Sequence, residues 1–208
     1  MTLTLHHHPF SRAANVVWML EEVGCAYTLE HVDLMKGAQK TVPYRAMNPM
    51  GKVPTLVDGD TVVTEAAAIA LYLGDRFALG RLAPRPDAKE RGPYLRWSFY
   101  APSVIEPCCA AKGAGWEYRP SQVGWGTYEE MLDTISAAIG DGPWLLGDTF
   151  TMADVVFGGT VRWMTMFGML DKRPEYLAYV ERLNARPAYV KSREINDRVA
   201  EERGLKRG

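Results

Sequence analysis

Between Asn48 and Ile69 this chain carries a segment that few folds can accommodate. Asn48-Pro49-Met50-Gly51-Lys52-Val53-Pro54-Thr55-Leu56 leads through Asp58-Gly59-Asp60 to Thr64-Glu65-Ala66-Ala67-Ala68-Ile69. It reads as a turn, a strand headed by a proline, a hairpin and a helix that opens on a carboxylate. Proline cannot donate to a strand ladder, so backbone groups beside Pro54 stay available to another molecule. The helix N-terminus that follows adds unpaired N–H groups and a partial positive charge. Together they suggest a site for a peptide-like molecule bearing carboxylates.

The flanking sequence builds a mixed domain around this segment. Thr2 to Leu5 reads as a short strand and His6 to Phe10 as a turn. Ser11 then precedes Ala13-Ala14 and Val16-Val17-Met19-Leu20, the spacing of one helix face, closed by Gly24 at the expected C′ position. Tyr27 to Val32 alternates as a second strand, and Lys36 to Asn48 is polar and turn-rich. Thr55-Leu56-Val57 and Val62-Val63 flank a hairpin signal at Asp58-Gly59-Asp60. Ala66 to Phe77 is an alanine-rich helix. The order is βαβ, loop, ββα.

The composition changes at Gly80-Arg81-Leu82-Ala83-Pro84-Arg85-Pro86, a proline-rich linker. Helical patterns follow at Lys89–Ala111, Tyr128–Ile139, Met152–Phe167 and Glu175–Ala185, with breaks at Gly140–Gly147 and Asp171–Pro174. Thr151-Met152-Ala153-Asp154 has the spacing of a capping box, with Asp in place of Glu, and reads as structural.

Bulk properties exclude several functions. The 208 residues suffice for one or two domains with a sizeable core. A formal net charge of −1 gives no electrostatic case for nucleic acid or an anionic membrane. Cys25, Cys108 and Cys109 form neither a CxxC motif nor a four-ligand metal site, which points to a reducing compartment and a cytoplasmic location. Met1 to Leu5 lacks the features of a signal peptide, and no run is long enough for a transmembrane helix. His6-His7-His8 has no spaced carboxylate or cysteine beside it, so a strand-end segment is favoured over a metal site.

Four motifs in order make the chain resemble the cytosolic glutathione S-transferases over nearly its whole length, in a bacterial-like, serine-type form. Asn48 to Leu56 is similar to the family's segment before its cis-proline strand. Thr64 to Ile69 with Tyr72-Leu73 is similar to its glutathione-recognition helix. Trp144-Leu145-Leu146-Gly147-Asp148 through Asp154 resembles its buried capping motif, and Arg186-Pro187-Ala188-Tyr189 its usual ending. The resemblance implies an α+β thioredoxin-like N-terminal domain (1–79), followed by an all-α C-terminal domain (87–208). It also implies glutathione as co-substrate, no metal, a twofold homodimer and a detoxification-type transferase reaction with small hydrophobic electrophiles. Peroxidase, isomerase or dehalogenase chemistry on glutathione, and a non-catalytic binding or regulatory role, are the alternatives.

The resemblance also assigns candidate residues. A free thiol has a pKa near ~8.5, so thiolate must be stabilised by a donor at the end of the first strand. Ser11 stands there, either as that donor or as a helix cap; Arg12 is a second candidate, as a cation beside the sulfur. No tyrosine precedes Tyr27, which excludes tyrosine-type activation in this region. Val53-Pro54 would hold the cis peptide, with Val53 pairing with the cysteinyl backbone. Lys52 would either reach the glycyl carboxylate or stand in solvent, and Gln39 and Lys40 of the preceding polar loop would contact the same end. Glu65 would accept from the γ-glutamyl ammonium. Ala66 departs from the family's Ser or Thr and keeps only its backbone N–H. Phe10, Tyr100, Val104 and Trp116 are candidate acceptor-site walls, expected between the two domains, with His8 a weaker candidate.

Overall fold

The computed structural model describes residues 3–140 and 142–206. Thr2 of the expected first strand and Asp141 of an expected inter-helix break lie outside the described residues. The chain forms two compact units, one of residues up to Ala78 together with those from Arg186 on, the other of Leu79–Ala185.

In the first unit, β1 (Leu3–His7) is followed by α1 (Ala13–Val23) and β2 (Tyr27–His31). A short 3₁₀ turn at Ala38–Lys40 and α2 (Val42–Met47) come next. Then come β3 (Thr55–Asp58), β4 (Thr61–Thr64) and α3 (Ala66–Phe77). The sheet order is β2-β1-β3-β4, with β1 parallel to β2 and the other pairs antiparallel. Leu3, Leu5 and His7 alternate into the core, against the apolar face of α1. Gly24 ends α1 at φ 76°, and its N–H bonds to the Leu20 carbonyl at 2.9 Å. Asp58 accepts from Tyr72 at 2.8 Å and pairs with Arg76 at 2.7 Å, which ties the hairpin to α3.

Arg186-Pro187-Ala188-Tyr189 opens a further helix, α9 (Pro187–Glu202), which packs on α1 in the first unit. Proline at its first position suits a helix start. The Arg186 guanidinium forks onto Glu22 at 2.6 and 2.7 Å. Trp18 Nε1 donates to the same carboxylate at 2.8 Å, and its ring meets Tyr189 edge-on. A buried bidentate pair with a third donor is strong enough to draw the terminal helix to the N-terminal fold.

In the second unit, α4 (Arg91–Tyr100) continues through a π-helical turn at Ala101–Ile105 into α5 (Glu106–Gly113). The expected single helix over 89–111 is therefore widened at its middle. Pro102 lacks the N–H that a regular turn would use, and the Ser103 hydroxyl donates to the Phe99 carbonyl at 2.6 Å. α6 (Tyr128–Ile139), α7 (Met152–Met166) and α8 (Pro174–Asn184) complete the unit. α7 is its buried axis, and Gly158 leaves the space a Cβ would fill to Leu183 of α8, with Tyr179 beside it. Thr151 and Asp154 form the expected capping box. No helix among the described residues is long and apolar enough to cross a membrane.

All four histidines of the chain lie on β1, on β2 or in the turn after β1. His7 is fully buried, its Nε2 2.6 Å from Asn196 Oδ1 of α9. Asn196 Nδ2 donates to the Ser192 carbonyl, which turns Oδ1 towards the ring and assigns the proton to Nε2. Nδ1 has no partner. Burial therefore pushes His7 down to about 4, and it lowers His6, His8 and His31 as well. The unfolded chain, with histidines near ~6.5, takes up protons that the folded chain refuses. Stability should therefore fall as pH drops from about 6.5 through 4, by up to about 1.4 kcal/mol per pH unit for His7, with the other three histidines acting in the same direction. Urea melts at pH 7.5, 5.5 and 4.5 check this; a midpoint independent of pH over that range would contradict it.

Candidate active site at one edge of the sheet

Strand register brings the candidate residues of the first unit together. His6 pairs with Thr55, and Thr55 with Thr64. The end of β1, the start of β3 and the end of β4 therefore lie side by side on one sheet edge. The turn bearing Phe10, Ser11 and Arg12 leaves β1 there. Val53 and Pro54 arrive at β3 there, and Glu65 and Ala66 leave β4 there. The N-termini of α1 and α3 open at this edge, so backbone N–H groups and two partial positive charges face the same place.

In the first of these loops, Ser11 Oγ donates to the His8 carbonyl at 2.7 Å and accepts the Ala13 N–H at 3.1 Å. The hydroxyl thus takes up the N–H of the first residue of α1 and already uses its proton. Phe10 N–H donates to His8 Nδ1 at 3.2 Å. Arg12 is the exposed N-cap residue of α1. His8 was legible only as a weak wall candidate. Nothing in the sequence signals that both its ring and its carbonyl hold the serine loop.

The Val53–Pro54 bond is cis, as the resemblance implied. Asn48, a residue the sequence marked only as part of a turn, organises its approach. Asn48 Nδ2 donates to the Lys52 carbonyl at 2.9 Å and to Thr55 Oγ1 at 3.2 Å, and Oδ1 accepts the Met50 N–H at 3.2 Å. Tyr44 of α2 also donates to the Lys52 carbonyl, at 2.7 Å. The Lys52 backbone is thereby fixed while its ammonium stays exposed. Gly51, at φ 58°, runs so close to Gln39 that an added Cβ would meet its carbonyl at 2.7 Å. Gln39 Oε1 is buried with no hydrogen-bond partner, and Lys40 Nζ donates to the Met50 carbonyl at 3.0 Å.

Glu65 is the one non-glycine residue with positive φ among the described residues, at φ 65° and ψ 122°. Such a conformation costs about 1–3 kcal/mol and persists where the surroundings enforce it. The side chain makes no cap bond and is exposed at the α3 N-terminus. Ala66 follows as the first residue of α3.

The helical unit places its candidates unevenly. Tyr100 is half-buried, with ring contacts to Trp97 at 5.5 Å and Phe157 at 6.2 Å, so part of it belongs to the core. Val104 is half-buried in the π-helical turn. Trp116 is 66% exposed. It lines an open cavity of about 440 Å³ with Lys112, Tyr118, Tyr128 and Glu129, a cavity to which Tyr100 and Val104 do not contribute. Lys112 Nζ lies over the Tyr128 ring. Among the described residues no group of His, Cys, Asp and Glu is arranged to hold a metal ion.

This fold and edge define a thioredoxin-like unit joined to a helical unit. The family model "Glutathione S-transferase, N-terminal domain" matches residues 1–75, and "Glutathione S-transferase, C-terminal domain" matches 49–189. The chain belongs to the glutathione S-transferase family. It is 30% identical to glutathione S-transferase GstA of Escherichia coli O157:H7, over 90% of this chain and 92% of that protein. It is 28% identical to glutathione S-transferase 3 of Zea mays, over 91% and 92%. Among solved structures, it is similar to a glutathione transferase from Methylococcus capsulatus, with TM-score 0.76, 29% identity, and 94% and 99% of the chains covered. A second, URE2P6 of Phanerochaete chrysosporium, was crystallised with oxidized glutathione (TM-score 0.79, 25% identity, 95% and 97% covered).

Proposed function

We propose that the sheet edge of the first unit binds glutathione, ionises its thiol and directs it at small hydrophobic electrophiles. One observation carries the reading: the register that lines up His6, Thr55 and Thr64, and with them the serine loop, the cis Val53-Pro54 and Glu65. Val53 pairs with the cysteinyl backbone as an added strand would. Glu65 accepts from the γ-glutamyl ammonium, and the Ala66 N–H receives the carboxylate beside it. Lys52 takes the glycyl carboxylate, with Gln39 next to it. Ser11 turns its hydroxyl from the His8 carbonyl to the sulfur, and the α1 N-terminus and Arg12 add positive potential. In the helical unit Tyr100 and Val104 offer apolar surface to the electrophile, and Trp116 offers a separate one on its own cavity; in the first unit Phe10 does. The protein acts in the cytoplasm as a homodimer, a contact that would cover exposed Met50 and Phe77.

Steady-state turnover of glutathione with aromatic halides and epoxides, read as conjugation, and with peroxides, read as reduction to the alcohol with formation of oxidized glutathione, tests the reaction. Turnover on the first two classes is expected; tight glutathione binding without turnover on any would favour the non-catalytic role. Ala66 is the weak point of the cradle. Ala66→Ser should tighten glutathione binding by roughly 0.5–1.5 kcal/mol, the value of one added hydrogen bond. Calorimetric titration reads this directly, and equal or weaker binding in the variant would refute it.

A further inference from the structure

The geometry points to His8 as a positioning residue for thiol activation, its ring holding the Phe10–Ser11 backbone where the Ser11 hydroxyl can reach the sulfur. This rests on the role of Ser11 proposed above and adds to it a second residue that never touches glutathione.

Two bonds from one residue shape the loop. The His8 ring accepts the Phe10 N–H through Nδ1 at 3.2 Å, and the His8 carbonyl accepts the Ser11 hydroxyl at 2.7 Å. A side-chain acceptor that takes the N–H two residues on is the bond of an Asx turn, made here by an imidazole. Pro9 between them supplies a fixed φ and no competing donor. With Nδ1 as acceptor, the neutral ring carries its proton on Nε2. The ring is 7% exposed, edge-on to Phe10 and 5.6 Å from the His31 ring. A phenyl ring would fill that space as well. What it would lack is the acceptor, so packing and positioning are separable.

Protonation of Nδ1 would set two donors against each other and open the turn. The groups that bear on this proton are His31 of β2, which opposes it, and Asp33 just beyond, which favours it. His7 precedes on β1 with its ring committed to Asn196 of α9, and Arg203 after α9 acts on His31. Burial is the largest influence and favours the neutral, accepting ring. The acid side of the activity profile then carries a contribution from His8 in addition to that of the thiol.

The test compares His8→Phe, His8→Asn and Ser11→Ala with the native protein. The readouts are the ultraviolet absorbance of bound glutathione thiolate against pH, the pH profile of kcat/KM with 1-chloro-2,4-dinitrobenzene, and thermal melting. His8→Phe should raise the thiolate pKa and lower kcat/KM at pH 7 by about fivefold, the loss of one neutral hydrogen bond. Asparagine can make the same turn through Oδ1. His8→Asn should therefore restore both values and extend activity to lower pH, because the acceptor no longer titrates. A native thiolate pKa in His8→Phe, or an unchanged acid limb in His8→Asn, would overturn the proposal. The latter arm decides alone if His8→Phe does not fold. No shift in Ser11→Ala would sink the assignment of Ser11 and with it the positioning role of His8; a shift in Ser11→Ala with none in His8→Phe would sink the role of His8 only.

Discussion

Asp154→Ala should cost the helical unit about 3–5 kcal/mol, the range for stripping one partner from a buried charged network. The carboxylate is fully buried and accepts four hydrogen bonds. Leu145 N–H reaches Oδ1 at 2.9 Å, as does the Tyr179 hydroxyl. Thr151 N–H reaches Oδ2 at 2.9 Å and the Thr151 hydroxyl at 3.3 Å. One side chain thus caps α7, fixes the preceding loop and receives a tyrosine from α8. Burial pushes its pKa up, and the four donors pull against that shift. Truncation would leave two backbone N–H groups and a phenol without partners in a dry interior, each costing about 1–3 kcal/mol. Asp154→Asn keeps one carbonyl oxygen but turns an amide donor towards Thr151, so an intermediate loss is expected. Urea denaturation followed by far-UV dichroism measures both. A loss under about 1 kcal/mol in Asp154→Ala would show that the donors find other partners.

Ser11→Ala should lower kcat/KM by about tenfold, less than a hydroxyl free to serve the thiolate would imply. A hydrogen bond to a charged acceptor is worth roughly 1.5–3 kcal/mol, and the neutral bond it replaces about 0.5–1.5. Because Ser11 already donates to the His8 carbonyl at 2.7 Å, only the difference reaches the reaction. That difference is near ~1.4 kcal/mol, or one unit in the thiol pKa. The same substitution removes the acceptor of the Ala13 N–H at the start of α1, a hydrogen bond worth about 0.5–1.5 kcal/mol of stability. The two roles therefore separate. If Ser11 only holds the start of α1, the variant melts earlier and conjugates glutathione as the native protein does at a temperature where both are folded. If it also serves the sulfur, kcat/KM falls at that temperature, and a more basic pH recovers it.

Local signals in the sequence carried much of this architecture. The helices at 66–77 and 128–139 matched their periodic stretches, Gly24 ended α1, and Asp58-Gly59-Asp60 turned the β3–β4 hairpin. What local pattern missed was set by distant partners. His6 and His7 read as a turn, yet parallel pairing with Glu30 and His31 extends β1 through them. α2 is six residues with Pro43 near its start, too short for a period to show. α9 is so polar that Arg186 to Tyr189 read as an ending, and only Glu22 and Trp18 on α1 explain its course. Within the site, Val53-Pro54 and Glu65 stood out through the family motifs around them, since an edge-strand proline and a helix-opening carboxylate are also favourable for structural reasons alone. The prior engagement of the Ser11 hydroxyl, the Asn48 hydrogen bonds and the positive φ of Glu65 were not legible. Each depends on backbone that is close in space and has no signature in residue type.

In the function proposed above, this edge lowers the pKa of a bound glutathione thiol. Absorbance of the thiolate, followed as the glutathione-saturated native protein is titrated from pH 5 to 10, tests it most directly. A pKa at least one unit below the ~8.5 of a free thiol is expected, so that thiolate is the major form at pH 7.5. A bound thiol that titrates like free glutathione would contradict it, whatever the affinity with which it binds.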